Sequence, residues 1–148
     1  MGTAFLGCPE AHLDEAARQR IFSAQETDTI TTRLYDQALA APWPERYVAR
    51  VLANPFNQAW AGHEIQLASN AESTKMLAKD VKNKNYDVAP IYAGQSIAFV
   101  DRMRPAAELT TALMEDAWTW FVHRAQALSS PASSSQSAKT PSRANENP

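Results

Sequence analysis

The 148-residue chain is 45% hydrophobic and 20% charged with a net charge of −2, the profile of one ordinary globular domain with a modest core and no electrostatic case for nucleic acid or an anionic membrane. No apolar run nears the roughly 18 residues of a membrane span, no secretory signal follows Met1, and the chain ends Glu146-Asn147-Pro148 rather than in a peroxisomal tripeptide, so a cytoplasmic location is expected. Cys8 is the single cysteine, which excludes an intrachain disulfide and any multi-cysteine zinc site.

In chain order, Met1-Gly2-Thr3-Ala4-Phe5-Leu6 reads as the end of a buried β-strand running into a glycine-opened turn. Pro9 to Ala24 is expected as a helix, with Ala16, Ala17, Arg20 and Ile21 spaced along one stripe. Thr27 to Leu34 has β character, and Ala41-Pro42-Trp43-Pro44 stops any regular element because proline fixes φ and lacks an N–H. Tyr47 to Phe56 is a second extended or irregular segment. Asn57 to Ala68 and Glu72 to Lys82 read as helices, the latter with its N-cap near Asn70. Pro105 to Leu128 has the clearest helical pattern, with Leu109, Leu113, Ala117, Trp120 and Leu128 on one side and proline in its first turn. From Ser129 the composition falls to Ser, Pro, Ala, Asn and Lys, too apolar-poor to offset its ordering entropy, so 129–148 is expected to be a disordered tail.

Two short motifs are suited to ligand chemistry. A glycine before a helix, as in Met1-Gly2-Thr3, lets backbone N–H groups approach a phosphate; it is equally a residue near a chain terminus. In Tyr92-Ala93-Gly94-Gln95 a glycine between an aromatic and an amide suits a tight turn facing a planar ligand; it is equally a turn whose tyrosine packs inward. His12, His63 and His123 fit no hydrolytic or metal-binding spacing, and no Walker-type or Gly-x-Ser-x-Gly run is present. Cys8 sits at a turn before Pro9 and reads as a bystander thiol. Trp118 and Trp120 point to different faces of their helix, so one is expected either to stay exposed or to contact protein elsewhere.

The order Met1-Gly2-Thr3-Ala4-Phe5-Leu6, Glu10 and a helix, Asp28-Thr29 with Thr31-Thr32, Ala49-Arg50-Val51-Leu52-Ala53-Asn54-Pro55-Phe56, then Tyr92-Ala93-Gly94-Gln95 resembles the C-terminal part of nitronate monooxygenases, from about Met1 to Arg124. The resemblance implies an α/β fold, an FMN-binding TIM (β/α)8 barrel with a smaller helical part added near its C-terminus. It also implies oxidation of alkyl nitronates by O2 to a carbonyl compound and nitrite, the flavin carrying the electron transfer. Gly2 and Thr3 match the family's FMN-phosphate turn; Tyr92, Gly94 and Gln95 match the segment returning toward the flavin and substrate pocket. Arg50 and Asn54 match a motif read as structural.

The family's glycine-rich turn and candidate catalytic histidine fall upstream of residue 1, and none of the three histidines here matches that position. The chain is therefore expected to be a C-terminal fragment, mostly helical in the residues present. Residues 1–128 would hold the last strand, added helical part and C-terminal helix. FMN binding would be incomplete and the chain inactive, with no catalytic residue assigned. The partners implied for the complete enzyme are a small-molecule nitronate and O2, with no nucleic acid, membrane or metal. Two alternatives are a related FMN-dependent enoyl-[acyl-carrier-protein] reductase and a non-catalytic helical interaction module.

Overall fold

The computed structural model describes residues 2–129. Two compact units are distinguished, one reaching Thr110 and the other beginning at Thr111. Residues 2–6, expected to end a buried strand, lie outside any sheet. Gly2–Gly7 forms a 3-10 helix, closed by the Cys8 N–H on the Phe5 carbonyl at 3.0 Å. This corrects the strand expected at Met1–Leu6. A strand needs a neighbouring chain to take its N–H and C=O groups, whereas a 3-10 turn satisfies them locally.

The expected helix over Pro9–Ala24 is broken in two. Pro9–Ala11 is a 3-10 turn ended by His12 in the left-handed region at φ 50°. Helix α1, Glu15–Ser23, then starts anew because the Asp14 carboxylate accepts the Ala17 N–H at 3.0 Å, a side-chain N-cap. Strand β1, Thr29–Thr32, pairs antiparallel with β2, Ala49–Leu52, with Ile30 opposite Val51 and Thr31 opposite Arg50. Between them lie α2, Leu34–Ala38, and the proline-stopped loop. Three helices follow: α3, Pro55–Ala59; α4, Glu64–Ser69; and α5, Ala71–Lys82. Gly62 at φ 78° splits the single helix expected over 57–68, a conformation that glycine reaches without a Cβ penalty. Asn70 caps α5 as expected, its side chain accepting the Glu72 and Ser73 N–H groups.

Strand β2 organises the first unit because its alternate residues face opposite ways. Leu52 enters a core with Ala17, Ile21, Ala24, Ile91, Ala93, Ile97 and Val100. Val51 enters a second with Leu34, Tyr35, Ala38, Leu67 and Leu77. On the edge of β2 away from β1, the Leu52 N–H donates to the Ile91 carbonyl at 2.9 Å and the Ala93 N–H to the Arg50 carbonyl at 3.2 Å. That pairing fixes residues 91–93, and so the Tyr92–Gln95 turn, against the sheet. Among the described residues, β1 and β2 form one two-stranded sheet, and no barrel is present.

Helix α6, Ala106–Ser129, runs one residue past the expected end, and none of its residues is buried. The stripe read from its periodicity is therefore not a core stripe: Trp120 and Leu128, like Trp118, are exposed. Its first N–H, on Ala106, donates to the Glu10 carboxylate at 3.1 Å. The rest of the expected tail, 130–148, lies outside the described residues.

Asp14 also ties α1 to the loop after α5. It accepts the Tyr86 hydroxyl and lies 3.3 Å from the Lys84 ammonium. Those contacts, the Tyr86 hydrogen bond first, lower its carboxyl from 3.8 to about 2. Burial, and then the Asp14 carboxylate, push the Tyr86 phenol from 10 up to about 12. A depressed folded-state pKa stabilises the fold fully above the unfolded value, and that contribution disappears as pH falls through the folded value. Stability is thus expected to drop between pH 3.8 and about 2 on the Asp14 side, and between pH 10 and about 12 as Tyr86 ionises. Urea midpoints measured across pH check this. Asp14→Asn should flatten the acid limb, and an unchanged acid limb would rule the contact out as its source.

Candidate functional site

The two ligand-suited motifs meet in space. The Gly94 N–H donates to the Thr3 hydroxyl oxygen at 2.9 Å, joining segments 91 residues apart. A Cβ at position 94 would stand 3.3 Å from that oxygen, a tight approach that a side chain there would crowd. Thr3 stands at the start of the Gly2–Gly7 turn, and Gly94 N-caps the next 3-10 turn, Gln95–Phe99. Nothing lies within 4 Å of where a Cβ on Gly2 would be, so its backbone is open to an approaching group. An unobstructed glycine beside an oriented threonine hydroxyl is compatible with part of a phosphate cradle.

Tyr92 is about half exposed and Gln95 is exposed. Burial, followed by the nearby Asp36 carboxylate, raises the Tyr92 phenol above its ordinary range. The phenol accordingly stays protonated and available as a donor at neutral pH.

Arg50 and Asn54 are placed as interior connectors. The Arg50 guanidinium donates to the Thr29 hydroxyl at 3.2 Å across the hairpin. Asn54, buried, accepts the Asn57 N–H at 2.8 Å and donates to the Ala89 carbonyl at 3.1 Å and the Tyr35 hydroxyl at 3.2 Å. Asn57 returns the cap, accepting the Asn54 N–H at 2.9 Å and donating to the Leu52 carbonyl at 2.8 Å. The Tyr35 hydroxyl spends its proton on the Val88 carbonyl at 2.8 Å. This network pins the end of β2 to the segment leading into Tyr92. Asn57 and Tyr35 were not singled out from the sequence, although Asn54-Pro55-Phe56-Asn57 carries a legible signal: an Asn N-cap, proline at N1 and a reciprocating amide at N3.

The histidines stay apart. His12 ends a 3-10 turn, His63 N-caps α4 and His123 lies on α6. Cys8 is buried, and burial raises its thiol pKa, which suits an inert thiol. Arg18, buried beside it, donates to the Cys8 carbonyl at 3.3 Å and the Leu13 carbonyl at 2.9 Å. It thereby holds the loop that follows the Gly2–Gly7 turn.

No helix among the described residues is long and apolar enough to cross a membrane. A search of curated protein sequences returns no match. Among solved structures, the chain is similar to FabK from Thermotoga maritima, with a TM-score of 0.64 and 19% identity. That match covers 86% of this chain and 39% of FabK. An M276A mutant of FabK gives a TM-score of 0.57 at 21% identity, covering 86% of this chain and 35% of the mutant. The chain thus spans under two fifths of the first and about a third of the second, and the likeness is one of fold. The family model for nitronate monooxygenase matches residues 1–116, taking in both the Gly2-Thr3 and the Tyr92–Gln95 motifs. This chain therefore belongs to the nitronate monooxygenase family, a family of FMN-dependent oxidoreductases.

Proposed function

We propose that the chain supplies one wall of the flavin site of an FMN-dependent nitronate monooxygenase, which oxidises alkyl nitronates with O2 to a carbonyl compound and nitrite. The observation that carries this reading is the Thr3–Gly94 hydrogen bond, which joins the phosphate-turn motif to the pocket motif. FMN, when bound, supplies the electron transfer. The chain's own residues hold and orient: Gly2 and Thr3 would meet the phosphate, and Tyr92, Gly94 and Gln95 would border the flavin or substrate. Tyr92 keeps a phenolic proton to donate. No residue of the chain is assigned a catalytic role.

The second reading is a related FMN-dependent enoyl-[acyl-carrier-protein] reductase, favoured by the fold likeness to FabK. On this reading the chain would contribute two positions of a phosphate site, and the described residues form no barrel. The 148-residue chain alone is therefore expected to take up FMN weakly and show little flavin absorbance at about 450 nm. Mixed with the barrel segment of a family enzyme cut ahead of its own matching turn, it should restore flavin colour and nitrite release from propane-2-nitronate. Thr3→Val, which leaves the Gly94 N–H without its acceptor, should weaken FMN retention in that complex by about tenfold. Enoyl-thioester reduction by NAD(P)H without nitrite would establish the second reading. Tight FMN uptake by the chain alone would overturn the partial-site proposal, and absence of flavin in both preparations would leave the non-catalytic module.

A further inference from the structure

A cleft of about 530 Å³ in the first unit is lined by Asp36, Trp43, Tyr47, Val48, Ala49 and Tyr92. Its volume lies in the range of small-molecule sites. Its walls are set by the backbone. Asp36 projects from α2, and Tyr92 is held beside Val51 by an antiparallel bridge. Trp43 and Tyr47 come from the proline-stopped loop, where the Trp43 N–H donates to Ala41 at 2.8 Å and the Tyr47 N–H to Pro44 at 3.0 Å. The Trp43 and Tyr47 rings stand nearly perpendicular, at 79°, with centroids 6.4 Å apart. This is an edge-to-face pair, which braces both rings and leaves aromatic surface on the cleft wall.

The charge pattern selects the ligand. Asp36 is the one ionisable acid among the lining residues, and no lysine, arginine or histidine lines the cleft. The Asp36 carboxylate has no hydrogen-bond or ion-pair partner among the described residues, and its negative charge, after burial, helps to raise the Tyr92 phenol pKa. An anion would meet that charge unscreened. A wholly apolar ligand would desolvate the carboxylate without pairing it. Arg46 lies 4.8 Å from the Tyr47 ring centroid and donates to its hydroxyl at 3.0 Å. It lies outside the lining and places a positive charge against the Tyr47 ring, where it competes with any cation in the cleft.

We propose that the cleft formed by Asp36, Trp43, Tyr47 and Tyr92 binds a small, free quaternary or tertiary alkylammonium ion. The methylated ammonium would sit against the aromatic faces, whose quadrupoles attract it, with Asp36 balancing its charge. The cleft meets the proposed flavin or substrate border at Tyr92, but this inference rests on the Asp36, Trp43 and Tyr47 side of that ring and not on the nitronate reading, and binding is measured without flavin.

The test titrates the full 148-residue chain with choline and with 3,3-dimethylbutan-1-ol, its uncharged isostere, by calorimetry or ligand-observed NMR. Choline is expected to bind about tenfold more tightly than the alcohol. Asp36→Asn and Trp43→Ala should each reduce choline affinity by about tenfold, while Arg46→Gln, which removes a competing positive charge, should increase it. Urea midpoints of the variants show whether they remain folded, and Asp36→Asn preserves shape if Trp43→Ala does not. Equal binding of the two isosteres overturns the proposal, as does absence of choline binding or choline affinity unchanged in Asp36→Asn. A trimethyllysine peptide binding more tightly than choline would also overturn the assignment to a free ion.

Discussion

Replacing Asn54 with alanine is expected to destabilise the fold by about 3–5 kcal/mol, a large part of the roughly 5–15 kcal/mol that holds a domain together. The side chain serves three elements at once. Its oxygen caps α3 by accepting the Asn57 N–H, and its amide donates to the Ala89 carbonyl and the Tyr35 hydroxyl. Loss of an N-cap costs about 1 kcal/mol. Each buried group left without a partner adds about 1–3 kcal/mol, and water cannot easily replace the amide because Asn54 is 6% exposed. Urea unfolding followed by far-UV circular dichroism measures the loss.

Asn54→Ser, which can keep the cap but not the amide donors, should recover only the capping share. In a double-mutant cycle, Asn54→Ala and Tyr35→Phe should cost less together than the sum of the two alone, because they remove parts of one network. A loss below about 1 kcal/mol for Asn54→Ala would mean that the network does not hold β2 to the 88–93 segment.

That network also shows what local chemistry makes legible. Asn54, Pro55 and Asn57 are close in sequence, and Asn70 precedes its helix directly, so capping chemistry marks both helix starts. Threonine-rich β1 and the stop at Pro42 and Pro44 are local signals of the same kind. Elements that depend on distant partners read less well. Met1 to Leu6 has the composition of a strand, yet with no adjacent strand among the described residues the backbone of Gly2–Gly7 closes into a 3-10 turn. The apolar pattern over Pro9–Ala24 conceals two starts, because proline opens one turn and Asp14 caps another. Helical periodicity identified α6 but not its burial, since period fixes a face and not what covers it. The aromatic cleft was illegible for a different reason. Asp36, Trp43, Tyr47 and Tyr92 are dispersed, and only the pairing of residues 91–93 with β2 brings the last of them to the others. The Thr3–Gly94 contact has the same origin: each motif was visible by itself, while their meeting is a property of the fold.

Gly7→Ala is expected to destabilise the chain by about 1–3 kcal/mol through overpacking. Its sign is decided by space rather than by backbone conformation. Where the backbone suits alanine, replacing glycine usually stabilises a protein by about 0.4–1 kcal/mol, because the unfolded chain loses freedom. Here the new Cβ would stand 2.9 Å from Val100 Cγ1 and 3.2 Å from the Arg102 carbonyl oxygen, with the Phe22 ring at 3.4 Å. Val100 is buried and the carbonyl belongs to the backbone, so neither can swing aside as the tip of a long side chain would. Relief must come from moving the 3-10 turn itself, and that turn carries Thr3. The second expected effect is therefore faster hydrogen exchange at the Gly94 amide, which donates to the Thr3 hydroxyl, in a region otherwise remote from the substitution in sequence. Adding Val100→Ala opens room for the new methyl, so the double variant should be at least about 1 kcal/mol more stable than additivity predicts. Strict additivity, or slow Gly94 exchange in a clearly destabilised Gly7→Ala protein, would separate the packing of this turn from the geometry of the proposed flavin wall. Coupled changes in both readouts would make Gly7 the residue through which the first core positions Thr3.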